Sequence, residues 1–411
     1  MATIPMVTPM EEATVLGKAL QPDTTASASK RWQHRTVEPE ETIQRLERIR
    51  DITGITRVAD LTELDRIGIP VAQAVRPMGK LLTVSQGKGL TLAAAKASAM
   101  MEATEIWHAE NLMLEGPRAT SAEIESEAYL DPQFLRNIEH KADPDDAPLD
   151  WAPAKDLVSG ASVMVPRDSA NLDFTRPADP PWLLRNTNGL AGGNTMGEAR
   201  SSALAEVIER ACRAEFERLD EQARSACRLD PDLVAKDSSV LGDLIEMIHD
   251  ADLVLDLHNL TNALAVTTIR AVIYETDKTR PSHRPSRGHG AHLDPVTAIS
   301  RAITEAAQTR ITYISGNRDD LDPIHYAAWN LSNTIRALER QMDFATTRAS
   351  LDLTDQSTAF PRCDVSVMIE RIEAQNAGPV ICLDLSHPEL GIPVQRYLLP
   401  VSPHGGRQIH G

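Results

Sequence analysis

Three segments of this 411-residue chain read as helices that are apolar nearly all round, the mark of buried elements, yet each carries polar and ionisable residues at i, i+4 and i+7. The first, KASAMMEATEIWHAE, stacks Ser98, Glu102 and Glu105 on one face among Ala97, Ala99, Met100, Met101, Ala103, Ile106 and Trp107. The second, GEARSSALAEVIERA, stacks Glu198, Ser202, Glu206 and the pair Glu209/Arg210 among Leu204, Ala205, Val207, Ile208 and Ala211. The third, ISRAITEAAQTR, stacks Arg301, Glu305 and Gln308. A polar stripe on a single amphipathic helix is ordinarily a solvated face. One layout recurring on three largely apolar helices suggests instead that the stripes converge. Two carboxylates about 4 Å apart repel by about 4 kcal/mol at an effective dielectric of 20. Several such pairs approach the whole stability of a domain, about 5–15 kcal/mol. Converging stripes therefore need either protonated carboxyls or divalent cations. Oxygen donors without clustered His or Cys favour Mg²⁺ over zinc, and Mg²⁺ held this way commonly carries nucleotide phosphates.

Around these helices the pattern is α+β. Ile43, Leu46, Ile49 and Ile52 mark a helix closing at Gly54, and short β-like runs follow at 56–58, 70–75 and 81–84. The long helices are expected over about 91–110, 197–223 and 295–314, and GPVICLDLSHPELGIPVQRYLLPV reads as two core strands joined by a turn. Strands and helices mix without a βαβ rhythm, which argues against a doubly wound sheet. Residues 1–33 read as a flexible extension, 34–403 as one domain with a loop-rich, peripheral insertion built around a few strands at about 117–185, and 404–411 as a tail.

Charge narrows the function classes. With 42 Lys+Arg against 59 Asp+Glu the net charge is −17, and only 4% of residues are aromatic. Neither value suits a general nucleic-acid or anionic-membrane binder. No apolar run reaches the length of a membrane helix, and no secretory signal is visible at the N-terminus. Cys212, Cys227, Cys363 and Cys382 are scattered and read as free thiols of a cytoplasmic protein. The glycine-rich stretch from Asn186 to Thr195 precedes the second helix, where backbone N–H groups could receive phosphate, but it matches neither GxxxxGK[ST] nor GxGxxG. Lys88, in Gly-Lys-Gly, is either a phosphate contact or a turn residue. His289 reads as a loop histidine, and Trp107 and His108 as packing. No Ser-His-Asp or Cys-His arrangement stands out.

In order along the chain, these blocks resemble the YcaO family, ATP-dependent enzymes that activate backbone amides of peptides and proteins. The resemblance runs from about Arg35 to Pro403. It rests on Ser98-x3-Glu102-x2-Glu105, Asn194-Thr-x2-Glu198-Ala, Ser202-x3-Glu206-x2-Glu209-Arg210, Gly290-Ala-His292 and Arg301-x3-Glu305-x2-Gln308. LTELDRIGIP at 61–70 and GIPV at 391–394 also match. The resemblance implies β-sheets flanked by long helices enclosing a Mg-ATP site. It implies Glu102, Glu105, Glu206, Glu209 and Glu305 as Mg²⁺ ligands. Asn194, Glu198, Arg210 and Arg301 would contact the nucleotide, and Glu206, Glu209, Arg210 and Arg301 would serve the chemistry. Arg35 and Thr42 stand where the family often has a basic and a hydroxyl residue, and Ser98 is either a further contact or a hydroxyl bonded back to its own helix.

The product depends on the nucleophile: a side chain gives an azoline, a backbone amine an amidine, and external sulfur a thioamide, usually with a TfuA partner. MEATEIWHAEN is similar to TfuA-associated members, whereas the Pro-x-Pro-x-Pro tail of azoline-forming members is not present in PVSPHGGRQIHG. The expectation is thus thioamidation of a peptide or protein substrate with a TfuA-like partner. An azoline-forming cyclodehydratase, an amidine-forming enzyme and a non-catalytic ATP-binding accessory protein are the alternatives. Family analogy also implies a homodimer.

Overall fold

Three residues start the three long helices in the same way. Thr91 Oγ1 accepts the N–H of Ala94 at 3.1 Å and Thr195 Oγ1 that of Glu198 at 3.3 Å, while the Asp294 carboxylate accepts those of Val296 and Thr297, both at 3.2 Å. Each cap satisfies donors that the first helical turn leaves without partners. The computed structural model describes residues 35–124, 128–135, 148–275, 285–318, 320–321, 349–399 and 409–410. The extension expected over 1–33 lies outside the described residues, as does most of the tail.

Helix α1 spans Pro39–Glu47, and strands β1 (Arg57–Asp60), β2 (Val71–Val75) and β3 (Val84–Lys88) form an antiparallel three-stranded sheet. Helix α2 (Leu92–Glu110) packs on β2 and β3. The helical periodicity expected through Ile52 breaks at Arg48–Ile49, so a separate turn, Arg50–Thr53, carries Ile52 out to 52% exposure while Leu46 and Ile49 stay buried. A second difference concerns Gly-Lys-Gly: Gly87 and Lys88 lie inside β3 rather than in a loop after it. A Cβ on Gly87 would stand 2.1 Å from the backbone nitrogen of Ala99, so the missing side chain is what lets β3 lie directly on α2.

The largest sheet has eight strands among the described residues. Its centre is β4 (Leu149–Asp156), paired with β5 (Ser162–Pro166) on one side. On the other side it continues through β10 (Ile381–Asp384) and β11 (Val394–Leu398) to β6 (Leu190–Gly192). The 117–185 segment is therefore not peripheral, since its strand β4 holds the middle of this sheet. The two strands expected from GPVICLDLSHPELGIPVQRYLLPV do pair, Ile381 opposite Leu398.

Helix α3 (Met196–Arg218) lies over β6 and β11. Helix α4 (Ser239–Asp250) precedes β7 (Val254–Asn259), β8 (Thr267–Tyr274) and β9 (Ser286–His292), which with the short Arg228–Leu229 strand form a four-stranded antiparallel sheet. Helix α5 (Pro295–Ser315) covers that sheet, and α6 (Pro361–Ala374) packs on α3. A buried Arg310–Asp65 ion pair of 2.7 Å ties α5 to the segment before β2.

The apolar core falls into clusters that divide the long helices between them. Ala95, Ala99, Met100 and Ala103 of α2 belong to one, Ala298, Ile299, Ala302 and Ile303 of α5 to a second, and Ala203, Leu204, Val207 and Ile208 of α3 to a third. Each helix thus buries its alanine-rich face in its own cluster, which leaves the polar stripe turned elsewhere. Among the described residues no helix is long and apolar enough to cross a membrane.

Candidate nucleotide and metal site

The three polar stripes face one cavity of about 1100 Å³. Ser98, Glu102 and Glu105 of α2 line it, with Ser202, Glu206, Glu209 and Arg210 of α3, and Arg301, Glu305 and Gln308 of α5. Arg35 and Thr42 from the start of the described chain, Lys88 of β3, Asn194 ahead of α3, His289 and Arg318 also line it.

Glu198 is the residue expected at the site that does not line the cavity. It is 2% exposed and sits behind the wall, where its carboxylate accepts the backbone N–H of Asn194 at 2.9 Å and the Asn194 amide at 3.1 Å. It also accepts the N–H and hydroxyl of Thr36, the hydroxyl at 2.7 Å, and lies 3.6 Å from the Arg35 guanidinium. Asn194 is in turn gripped from α1: Thr42 Oγ1 donates to its Oδ1 at 3.1 Å and Arg45 Nη1 to its carbonyl at 3.2 Å. Glu198 therefore holds Asn194 and Arg35 in place. Burial alone would raise its carboxyl pKa, but Arg35 and the Thr36 hydrogen bonds outweigh it and keep the pKa low.

The cavity carboxylates behave differently. Burial first, then neighbouring carboxylates, pushes Glu102 up to about 7 and Glu105 up to about 8, although Lys88 lowers the former and the Gly192 N–H, donating at 2.6 Å, lowers the latter. Glu206 is raised by burial against the pull of Arg210 (3.3 Å) and the Gly189 N–H (3.2 Å). Glu209 is raised by burial and by Glu305 and Glu206. Glu305 alone of the five is lowered. Its burial is outweighed by Lys88, whose ammonium donates at 2.6 Å, and by His289, whose backbone N–H donates at 3.2 Å. Arg301 donates to the Ala291 carbonyl at 3.2 Å, and burial followed by Arg35 brings its pKa down to about 10.

Of the two solutions that the sequence allowed, raised carboxyl pKa values have a basis here, and Lys88 and Arg210 add side-chain cations that it did not count. Among the described residues no three Asp, Glu, His or Cys side chains are gathered tightly enough to form a finished metal cage. Mg²⁺ that travels on a nucleotide takes one or two carboxylates from the protein and fills its octahedron with phosphate oxygens and water. The donor set, carboxylate oxygens with amide and guanidinium groups at the rim, fits such an ion and its phosphates.

Sequence reasoning overlooked Thr36 and Arg45, which work through Glu198 and Asn194 from a region with no recognisable motif. It also overlooked Arg396, a buried arginine on β11 whose charge opposes the upward shift of Glu206. Nothing in its local sequence sets Arg396 apart. Trp107 and His108 do pack, their rings meeting edge to face at 5.4 Å, and His289 belongs to β9 rather than to a loop.

A family model and a solved structure carry the same family name. The family model described as YcaO cyclodehydratase, ATP- and Mg²⁺-binding, matches residues 86–401. A protein of Methanothermobacter thermautotrophicus is 32% identical over 373 residues, covering 89% of this chain and 94% of its own. A protein from the tfuA 3′ region of Rhizobium leguminosarum bv. trifolii is 33% identical over 379 residues, covering 90% and 88%. Among solved structures, the YcaO protein from Methanopyrus kandleri bound with AMPPCP and Mg²⁺ superimposes with a TM-score of 0.65 at 23% identity, over 89% of this chain and 91% of that one. A heterocyclase in complex with substrate and cofactor gives 0.70 at 20% identity over 93% of this chain, which spans only about half (55%) of the heterocyclase.

Proposed function

The chain belongs to the YcaO family, whose members depend on ATP and bind Mg²⁺, and from that premise we propose that it activates a backbone amide of a peptide or protein for conversion to a thioamide. The observation that carries the reading is the convergence of Glu102, Glu105, Glu206, Glu209 and Glu305, from three helices, on one cavity with Asn194, Arg210 and Arg301.

Mg²⁺-ATP, when bound, supplies the phosphoryl group that makes the amide oxygen a phosphate leaving group. The chain's part is to position and neutralise. Glu102 and Glu105 on α2, Glu206 and Glu209 on α3 and Glu305 on α5 would hold the cations from three sides. Arg210 and Arg301 would meet phosphate oxygens on which charge grows. Thr42 and Glu198 would keep Asn194 turned toward the nucleotide, while Arg35 and Ser98 would close the rim. No covalent nucleophile on the protein is needed, since the incoming atom comes from the substrate or from a sulfur donor.

Two considerations support sulfur as that atom: the resemblance of 101–111 to TfuA-associated members, and the Rhizobium relative, which lies in a tfuA 3′ region. A TfuA-like protein is then the partner that delivers it. A second reading, azoline formation, draws on the family model's description as a cyclodehydratase and on the fold shared with a heterocyclase.

Calorimetric titration with Mg·AMPPCP tests the site. Wild type is expected to bind in the micromolar range. Glu206→Gln and Glu209→Gln should each weaken binding about ten- to hundredfold with an unchanged circular dichroism spectrum. Equal binding by wild type and both variants overturns the site. Mass spectrometry of candidate peptides incubated with ATP, a TfuA-like protein and sulfide then separates the products. Exchange of oxygen for sulfur supports the thioamide, and loss of water the azoline.

A further inference from the structure

The cations around the cavity are not equivalent. Arg210 meets a carboxylate given to the metal, Glu206 at 3.3 Å, but on its own helix, whereas Arg35 leans on Glu198 behind the wall, Arg301 is held by the Ala291 carbonyl, and Arg318 forks onto Asp320. Lys88 is tethered to a carboxylate that the proposed function gives to the metal: its Nζ stands 2.6 Å from Glu305 Oε2. Its charge also acts on Glu102 of α2 and Glu209 of α3, with the direct contact made to Glu305 of α5.

The backbone arrangement makes this placement specific. Lys88 lies between Gly87 and Gly89 at the end of β3, and His289 between Gly288 and Gly290 on β9. In both places the glycines pack against the backbone of the following long helix, where a Cβ would stand 2.8 Å or less from main-chain atoms. The two Gly-x-Gly segments meet at one residue: Glu305 takes the Lys88 ammonium on Oε2 and the His289 N–H on Oε1. The Lys88 and Glu305 side chains are 26% and 33% exposed, so an incoming ion can reach the pair.

We propose that Lys88 is an internal counter-ion of this site, occupying Glu305 in place of a divalent cation until nucleotide arrives, and then moving its ammonium from Glu305 to a phosphate oxygen of the triphosphate. This deepens the proposed function and rests on it. Lysine is well suited to such a move, because its ammonium is a compact charge with three donors on a flexible four-carbon stem and can change partners without moving the backbone. Two cations compete for one carboxylate oxygen, so Lys88 opposes binding of the metal alone. A triphosphate gives the ammonium a new anionic partner and removes the competition, so metal and nucleotide favour each other.

A purely structural ion pair and a displaceable counter-ion differ in the sign of their effects. Two titrations suffice: Mn²⁺ alone, followed by the electron paramagnetic resonance of the free ion, and Mg·AMPPCP, followed by calorimetry. For Lys88→Met, and equally for Lys88→Gln, which keeps hydrogen-bonding capacity should the methionine fail to fold, Mn²⁺ alone should bind about fivefold tighter than to wild type. Mg·AMPPCP should bind about tenfold more weakly, because the phosphate loses a charged partner. Lys88→Arg should restore both toward wild type. Unchanged or weaker Mn²⁺ binding by the uncharged variants overturns the proposal. If Glu206→Gln still weakens Mg·AMPPCP binding in that case, the nucleotide site stands without it. If wild type binds neither probe, both readings fall.

Discussion

Glu198 and Glu206 occupy the same helical stripe, two turns apart, and do different work. Glu206 faces the cavity, whereas Glu198, in the first turn of α3, is buried under Asn194 and Arg35, with Asn194 and Thr36 both donating to it. The sequence shows the stripe but not this division, because i, i+4 spacing says which residues share a face and nothing about the chain that folds over its end. Thr36, which covers Glu198, lies 162 positions away. Glu198→Gln tests the distinction. It keeps the shape but loses the charge that holds Arg35, and it leaves an amide facing donors. Stability to urea should fall by about 1–3 kcal/mol. Mg·AMPPCP should bind more weakly while Mn²⁺ alone binds as in wild type, since no cavity carboxylate is altered. Loss of Mn²⁺ binding would make Glu198 a metal ligand instead.

At the scale of elements, the three long helices were legible and most of the strands, β3 among them, were not. Thr91, Thr195 and Asp294 are caps with recognisable chemistry, and the alanine-rich runs after them have the right period, so the starts of all three helices fall within about a residue of their expected places. Strand β3 was hidden because its glycine carries no β signal: Gly87 is there for close approach to α2, a reason that exists only in the folded state. The broken periodicity at Ile49 belongs to the same class, since a single turn rotates Ile52 off its face. Gly87→Ala measures what the close approach is worth. Its methyl would stand 2.1 Å from Ala99 N and 2.3 Å from Ala95 O, both backbone atoms, so strand and helix must separate. The expected cost is about 1–3 kcal/mol by urea denaturation, together with weaker Mg·AMPPCP binding as Lys88 and Glu102 shift apart. Full stability in this variant would mean that the two elements slide freely.

At the scale of the whole molecule, the sheet order was beyond sequence reasoning. β4 pairs with β10 across more than 200 residues, with Ile381 opposite Asp156, and no local pattern encodes such a partner. What the sequence did contain was an electrostatic problem, and the folded protein answers it with protons as well as cations. Glu102 at about 7 and Glu105 at about 8 are both raised from 4.5, and Glu206 and Glu209 shift in the same direction. Above about pH 4.5 the unfolded chain has released these protons while the folded, metal-free protein still holds them, so the native state binds more protons and stability falls as pH rises. Glu198 and Glu305 are shifted downward, and their contribution is lost only as pH falls through their lowered values. Burial lowers His108, His258 and His289, the last two to about 4, so below about pH 6.5 the unfolded chain binds their protons and they oppose the trend, which stands unopposed only above that pH. Thermal unfolding in EDTA should therefore show a melting temperature that declines between about pH 6.5 and 8.5. Saturating Mg·AMPPCP should flatten that decline, because the cation replaces the protons, and binding near pH 7 should release protons, read as a calorimetric heat that varies with the ionisation enthalpy of the buffer. A melting temperature in EDTA that holds level over this range would mean that the five carboxylates are already ionised, with Lys88 and the arginines sufficing to neutralise them.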